Sequence, residues 1–177
     1  MMLSKLLYHG ALVLCRAFYA NHAVASVVSN AAATARTEQL RRTLRTCGQR
    51  VRIQEPITVT QPACVSVGDD VSIAAYVHIW GGGGVDIGDR VMIGTHTSIS
   101  SLTHDPNAGV MFDTLRSAPV RIQDDVWIGS NCVILPGITL GTSSVIGAGA
   151  VVTRDVPAFS IAAGVPARVL RVKDHSH

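Results

Sequence analysis

Large rings are scarce in this chain. Phe, Trp and Tyr together make up 5% of 177 residues. That excludes a core built around aromatic packing and leaves small and β-branched side chains to fill the interior. Charge is also sparse, at 15% of residues with a net +3. Nothing in that balance calls for a nucleic-acid partner, and none is expected. Cysteine is limited to Cys15, Cys47, Cys64 and Cys132. No two form a CxxC pair and no Cys/His group has zinc spacing, so a zinc module is excluded and free thiols in a reducing compartment are expected. There is no uninterrupted apolar run of the ~18 residues that a spanning helix needs. His9 and Arg16 cut the longest candidate.

What is present at the N-terminus is amphipathic. Leu3, Leu7, Ala11, Leu14 and Phe18 share one helical stripe, with Lys5, His9 and Arg16 off it. A secretory signal would use Lys5, the Leu6–Leu14 run and Ala23-Val24-Ala25, but Arg16 inside the apolar region argues against it. The expectation is a helix packed on the protein's own core. Its rival is a helix lying on a membrane surface as a peripheral contact. A second helix follows, capped by Thr34 or Thr37, carrying Leu40 and Leu44, and ended by Gly48. Arg36, Arg41, Arg42, Arg45, Arg50 and Arg52 read as a solvated face of this basic region. The C-terminal Asp174 to His177, "DHSH", reads as a flexible tail. The expected organisation is a helical extension over 1–47, a main domain over 48–172 and a tail over 173–177.

The main domain repeats every six residues. Ile122, Ile128, Ile134, Leu140, Ile146 and Val152 are six apart, and Val126, Cys132, Ile138, Ser144, Ala150 and Val156 follow each by four. Upstream, Val67, Ile73, Ile79 and Val85 keep the spacing, and Ile87, Ile93 and Ile99 resume it after a two-residue slip. Six is an even period, so it suits strands whose alternate side chains point inward, not helices. Hexads in two registered blocks indicate a parallel β-helix of triangular coils, about 18 residues each, stacked about 4.8 Å apart. Glycine and short polar residues such as Gly-Asp are expected at the corners, where positive φ is needed.

The repeat breaks at Ser100-Ser101-Leu102-Thr103-His104-Asp105-Pro106-Asn107. Six beyond Ile99 is Asp105, which is no core residue, and the pattern resumes only at Val120 and Ile122. Residues from about 104 to 119 are therefore expected to leave the coil as a loop, with Gly109, Met111, Phe112 and Leu115 giving it apolar material to grip a neighbouring subunit or a ligand. His104 stands at the root of that loop, where the coil would fix it. Histidine is the side chain suited to take up a proton near neutral pH. His78 and His96 should point outward and serve a surface or an interface. Trp127, five after Ile122, should also project outward.

The stretch "VWIGSNCVILPGITLGTSSVIGAGAVVTRDVPAFSIAAGVPARVLR", Val126 to Arg171, resembles the hexapeptide-repeat acyltransferases. It is most similar to their maltose/galactoside and capsule-polysaccharide O-acetyltransferase branch. The resemblance covers residues 48 to 172. It implies an all-β core in the form of a left-handed parallel β-helix, assembled as a homotrimer with active sites between subunits. It also implies acetyl-CoA as co-substrate and His104 as general base, with the acceptor hydroxyl attacking the thioester directly. Proximity would supply most of the rate and the base about 10²–10⁴. By the same resemblance, Trp127, Ser130, Ala148, Thr153, Arg154, Arg168 and Arg171 line the CoA groove, Arg154 standing where relatives often hold Lys. The arginines would meet CoA phosphates.

On the acceptor side the chain departs from the family. The Asn and Asp that galactoside-type enzymes place on the sugar fall here on Ala74 and Gly82. Gly81 to Gly84 instead make a bare corner beside Trp80. Trp80 and Asp105 are the acceptor-side candidates, and Asp105 could alternatively orient His104. The β-helix carbonic anhydrases hold zinc with a close histidine pair in one coil, which is missing here, so no metal is expected to be required. The function implied is acetyl transfer to a hydroxyl of a saccharide or lipid-linked saccharide, in surface-polysaccharide synthesis, in the cytoplasm with membrane association left open. Its rivals are an N-acetyltransferase on an amino sugar, an antibiotic-modifying acetyltransferase, and, from another class, a non-catalytic β-helix scaffold.

Overall fold

A computed structural model describes residues 32–172. The expected N-terminal amphipathic helix and the 173–177 tail lie outside the described residues. Two compact units divide the chain, 1–38 and 39–177. In the first, residues 32–38 are helical, and in the second helical residues run to 43.

The second unit is the expected parallel β-helix. Its first coil holds β1 (Thr46–Cys47), β2 (Arg52–Ile53) and β3 (Thr58–Thr60). The second holds β4 (Val65–Val67), β5 (Ser72–Ile73) and β6 (His78–Trp80). The third holds β7 (Val85–Ile87), β8 (Met92–Ile93) and β9 (Ser98–Ser100). An arm of β10 (Leu102–His104) and β11 (Leu115–Ser117) then leaves the prism. The chain returns as β12 (Val120–Ile122), β13 (Trp127–Ile128) and β14 (Val133–Ile134). The fifth coil is β15 (Thr139–Leu140), β16 (Val145–Ile146) and β17 (Val151–Val152), and β18 (Ser160–Ala163) and β19 (Arg168–Val172) follow. Three sheets form the faces, ordered β1-β4-β7-β12-β15, β2-β5-β8-β13-β16-β18-β19 and β3-β6-β9-β14-β17. They are called A, B and C below. All pairings are parallel except β18 with β19 and β10 with β11.

The hexads do what their even period implies. Ile73, Ile79, Ile99, Ile128, Ile134 and Ile146 are buried, and so are Val71, Val77, Val126, Cys132 and Ala150 at the positions four later. Each buried aliphatic stabilises the fold by ~1.5–3 kcal/mol. Coil length differs from expectation in the first two coils. Thr46 pairs with Ser66 and Ser66 with Asp86, twenty residues per turn. Arg121 pairs with Thr139, the expected eighteen. The two extra residues sit at the corner between sheets C and A, as the 3₁₀ turn Pro62–Cys64 and the bare stretch Gly81 to Gly84.

Corner chemistry also differs. The left-handed positions are mostly not glycine: Arg50, Asp70, Arg90 and Asp125 stack at the corner after sheet A, and Tyr76, His96 and Asn131 at the corner after sheet B. Glycine is needed next to them for another reason. A Cβ on Gly129 would lie 2.6 Å from the Ala148 nitrogen of the next coil. The corner after sheet A is tied by carboxylates. Asp69 accepts the Gln49 N–H at 2.7 Å, Asp89 the Asp69 N–H at 2.7 Å, and Asp124 the Asp89 N–H at 2.9 Å.

The basic region is corrected. Helical residues stop at 43 and Gly48 does not end a helix. Chain pairing begins at Arg45, whose N–H meets the Val65 carbonyl at 2.9 Å, so Gly48 already belongs to the coil. Nor do these arginines form a purely solvated face. Arg41 bonds the Val51 carbonyl, Arg45 pairs with Asp86, and Arg50 meets Asp70 at 2.6 and 2.7 Å.

Candidate active site

The detour after Ile99 leaves and returns as a short β-ribbon, with turns over residues 105–114 between its strands. Leu102, Thr103 and His104 pair antiparallel with Ser117, Arg116 and Leu115. The Ser101 carbonyl accepts the Ala118 N–H at 2.9 Å and closes its root. His104 is therefore three residues out along the arm, held by the ribbon and not by the coil itself. Its Nδ1 lies 2.9 Å from the Met111 carbonyl. A carbonyl can only accept, so that bond places the proton on Nδ1 and leaves the Nε2 lone pair available. The Met111 carbonyl is fixed in turn by the Thr114 hydroxyl at 2.7 Å.

Asp105 does not orient the imidazole. One of its oxygens pairs with Arg116 and the other accepts the Asn107 N–H at 3.0 Å. Its backbone N–H meets Thr114 Oγ1 at 3.1 Å. The carboxylate braces the arm from inside, with its side chain only 17% exposed.

A cavity of about 220 Å³ opens beside His104, lined by Trp80, Ser100, Leu102, Thr103, His104 and Leu115. The structure thus brings Trp80 and His104 to one site. Gly82 is packed against the Gln61 side chain, where an added Cβ would lie 1.9 Å from Oε1. Farther along the arm, Val110, Met111 and Phe112 are exposed, Phe112 by 86%.

The donor-side candidates lie elsewhere on the prism. Trp127 points out from sheet B, 52% exposed, between Met92 and Val145 on neighbouring strands. Ser130 and Ala148 follow at the corner after sheet B, on successive coils joined by the Gly149 N–H to the Ser130 carbonyl at 2.8 Å. Thr153 and Arg154 are exposed at the far end of β17, at the edge that carries the arm two coils earlier. That separation is about 10 Å along the axis. Arg168 and Arg171 project from β19, both exposed. Within one chain these groups and His104 do not form one cluster. His78 is half-buried and stacked on Trp80, while His96 is exposed and stacked on Tyr76.

Sequence reasoning missed Ser101. It is fully buried, and its hydroxyl meets the Trp80 carbonyl at 2.6 Å. Its place two residues after the inward Ile99 was the signal. It also missed Met111, whose role is purely a backbone carbonyl and leaves no mark on residue type.

Comparison with known proteins fits this geometry. The family model for bacterial transferase hexapeptide (six repeats) matches residues 119–154. The galactoside O-acetyltransferase of Escherichia coli K12 is 35% identical over 127 residues, 71% of this chain and 63% of that one. The chain spans 42% and 63% of the lengths of the first two curated relatives it matches. A hexapeptide-repeat acetyltransferase of Vibrio cholerae, solved with acetyl coenzyme A, is 32% identical with a TM-score of 0.76, covering 80% of this chain and 78% of that one. A galactoside acetyltransferase solved with coenzyme A is 33% identical with a TM-score of 0.76, covering 78% and 70%. The stacked hexads, the arm at one edge and these similarities agree: the chain belongs to the hexapeptide-repeat acetyltransferase family.

Proposed function

We propose that this protein is an acetyl-CoA-dependent O-acetyltransferase, with a sugar hydroxyl as acceptor and His104 as general base. The observation that carries the reading is the 2.9 Å bond from His104 Nδ1 to the Met111 carbonyl, which leaves the Nε2 lone pair available on a residue that lines a cavity. The acceptor O–H gives its proton to Nε2 as its oxygen bonds to the thioester carbonyl carbon. The tetrahedral intermediate then expels the CoA sulfur, and the imidazolium returns the proton to that thiolate. Holding both substrates together supplies the larger share of the rate. The relatives solved with acetyl coenzyme A and coenzyme A support the donor, and the galactoside relative supports a saccharide acceptor.

Trp127, Ser130, Ala148, Thr153, Arg154, Arg168 and Arg171 form the donor side in this reading. Their separation from His104 within one chain supports a homotrimer whose sites lie between subunits, one supplying the base and its neighbour part of the groove. The exposed apolar side chains of Met92 and Trp127 support the same assembly. The cytoplasm, where acetyl-CoA is at hand, is the compartment that suits this chemistry.

The test is His104→Ala, followed by thiol release from acetyl-CoA in the presence of a saccharide and by calorimetric titration with acetyl-CoA. The expected result is unchanged acetyl-CoA binding with turnover lower by about 10² or more. Near-normal turnover removes His104 as the base.

A further inference from the structure

The Met111 carbonyl that holds His104 is itself held. Three donors meet it: the His104 Nδ1–H at 2.9 Å, the Thr114 hydroxyl at 2.7 Å and the Thr114 N–H at 3.1 Å. A carbonyl oxygen has two lone pairs. The hydroxyl and the imidazole make the two shorter bonds, and the Thr114 N–H makes the longest. Val110, Met111 and Phe112 are exposed. The direction of this carbonyl is therefore set by its bonds, not by burial of the turn that carries it.

The Thr114 hydroxyl is aimed in turn. The Asp105 N–H comes to Thr114 Oγ1 at 3.1 Å and to the Thr114 carbonyl at 3.1 Å. An N–H can only donate, so Oγ1 accepts there and turns its single proton to Met111. Asp105 follows His104 and stands opposite Thr114, one step beyond the ribbon pair of His104 with Leu115. Its carboxylate is tied to Arg116 and to the Asn107 N–H. The bonds close a ring. It runs from His104 along the chain to Asp105, through the Asp105 N–H to Thr114 Oγ1, through that hydroxyl to the Met111 carbonyl, and back to His104 Nδ1. Every bond of the ring lies within the arm of one chain, and none needs a second subunit.

The ring bears on the state of the imidazole. A neutral imidazole carries one proton, on Nδ1 or on Nε2. An acceptor fixed beside Nδ1 selects the first form, and only that form offers a lone pair at Nε2. A carbonyl free to turn away would no longer select it. The Thr114 N–H closes the turn onto Met111 without help from the hydroxyl. Removing the hydroxyl alone should therefore leave the arm folded and loosen only the aim of the carbonyl.

We infer that Thr114 is a positioning residue, whose hydroxyl holds the Met111 carbonyl where it keeps the His104 proton on Nδ1. The kinetic consequence rests on His104 acting as the base in acetyl transfer, and the tautomer itself does not.

The experiment grows the full chain with nitrogen-labelled histidine and records the ring-nitrogen NMR signals at about two pH units above the ordinary histidine value of ~6.5. The His104 signals are identified by their loss in His104→Ala. Wild type should show His104 protonated at Nδ1 and unprotonated at Nε2. Thr114→Val should move both signals toward a mixture of the two forms, while His78 and His96, which lie off the arm, keep theirs. Thr114→Ser, which retains the hydroxyl, should match wild type. In thiol release from acetyl-CoA with methyl galactopyranoside, Thr114→Val should lower kcat about tenfold, the upper worth of one neutral hydrogen bond, with both KM values unchanged. Thr114→Ser should recover most of that loss. A merely structural Thr114 would reduce the active fraction and leave the ring signals of the folded protein where they were. Unmoved His104 signals in Thr114→Val, or Thr114→Ser displaced as far as Thr114→Val, overturns the inference and leaves the base reading standing. A moved tautomer in Thr114→Val beside near-normal turnover in His104→Ala removes the base reading and keeps the hold of Thr114 on the ring.

Discussion

Placing a methyl group on Gly129 separates two reasons for a corner glycine. The added Cβ would lie 2.6 Å from the Ala148 nitrogen, 2.9 Å from its Cα and 3.0 Å from the Ile146 carbonyl oxygen. All three are backbone atoms of the next coil, so no side chain can swing aside, and the coil itself must move. Overpacking of this kind costs about 1–3 kcal/mol. Gly149 is the opposite case. It has φ +73 and nothing within 4 Å of a Cβ, so alanine there costs only the left-handed conformation, about 1–2 kcal/mol. Gly109 on the arm has open space and no positive φ, and alanine should be neutral or stabilising by about 0.4–1 kcal/mol through the unfolded chain. Urea unfolding of the three variants at one protein concentration should therefore rank Gly129→Ala as least stable, then Gly149→Ala, then Gly109→Ala. A Gly129→Ala protein within about 0.5 kcal/mol of wild type would refute close coil approach as the reason for the corner glycines.

Other outcomes are expected on the same grounds. Arg154→Ala or Arg168→Ala should raise the acetyl-CoA KM more than it lowers kcat. A change confined to acceptor KM would move these arginines out of the donor side. Ser144 has a buried hydroxyl with no hydrogen-bond partner, so Ser144→Ala should be neutral or stabilising by about 1 kcal/mol in thermal unfolding, and a clear loss would mean the hydroxyl is bonded. The Arg50 guanidinium bonded to Asp70 holds that carboxyl below its usual 3.8. Its contribution to stability is thus complete above 3.8 and is lost as pH falls through the lowered value. Arg50→Gln should flatten this part of the acid unfolding profile, and an unchanged profile would show the pair to be inert.

The prism was legible because burial there has a fixed phase. Ile122, Ile128 and Ile134 recur at one position of every hexad, and a side chain out of phase would lose its core contacts. The same phase made Trp127 readable as an outward residue. The arm has no such phase. Thr103, His104 and all of β11 are exposed, so its pairing is made by backbone groups that every residue carries, and a ribbon looked like a loop. For the same reason the partner of His104 could not be read, since it is a carbonyl. Asp105 looked like a companion of the imidazole because it is adjacent in sequence, but its carboxylate is taken by Arg116 and the Asn107 N–H. The arginines misled because their acceptors, Asp70 and Asp86, lie a coil or two away, at a distance set by coil length.

The residues that lengthen the coils all fall on the same edge of the prism: the Pro62–Cys64 turn, the four glycines from Gly81, and the arm from Ser101 to Ala118. The Ala118 N–H returns to the Ser101 carbonyl, so the longest of these excursions re-enters the coil one step from where it left. Val120 then pairs with Val85 as though nothing had intervened. An insertion or deletion on this edge therefore leaves the phase of every later hexad intact, whereas one in any strand would turn inward residues outward from there on. Mutation is free to rewrite the edge that carries His104 and Trp80 while the other two corners are held to their count. In a lineage built this way, new acceptors can be tried on an unchanged frame.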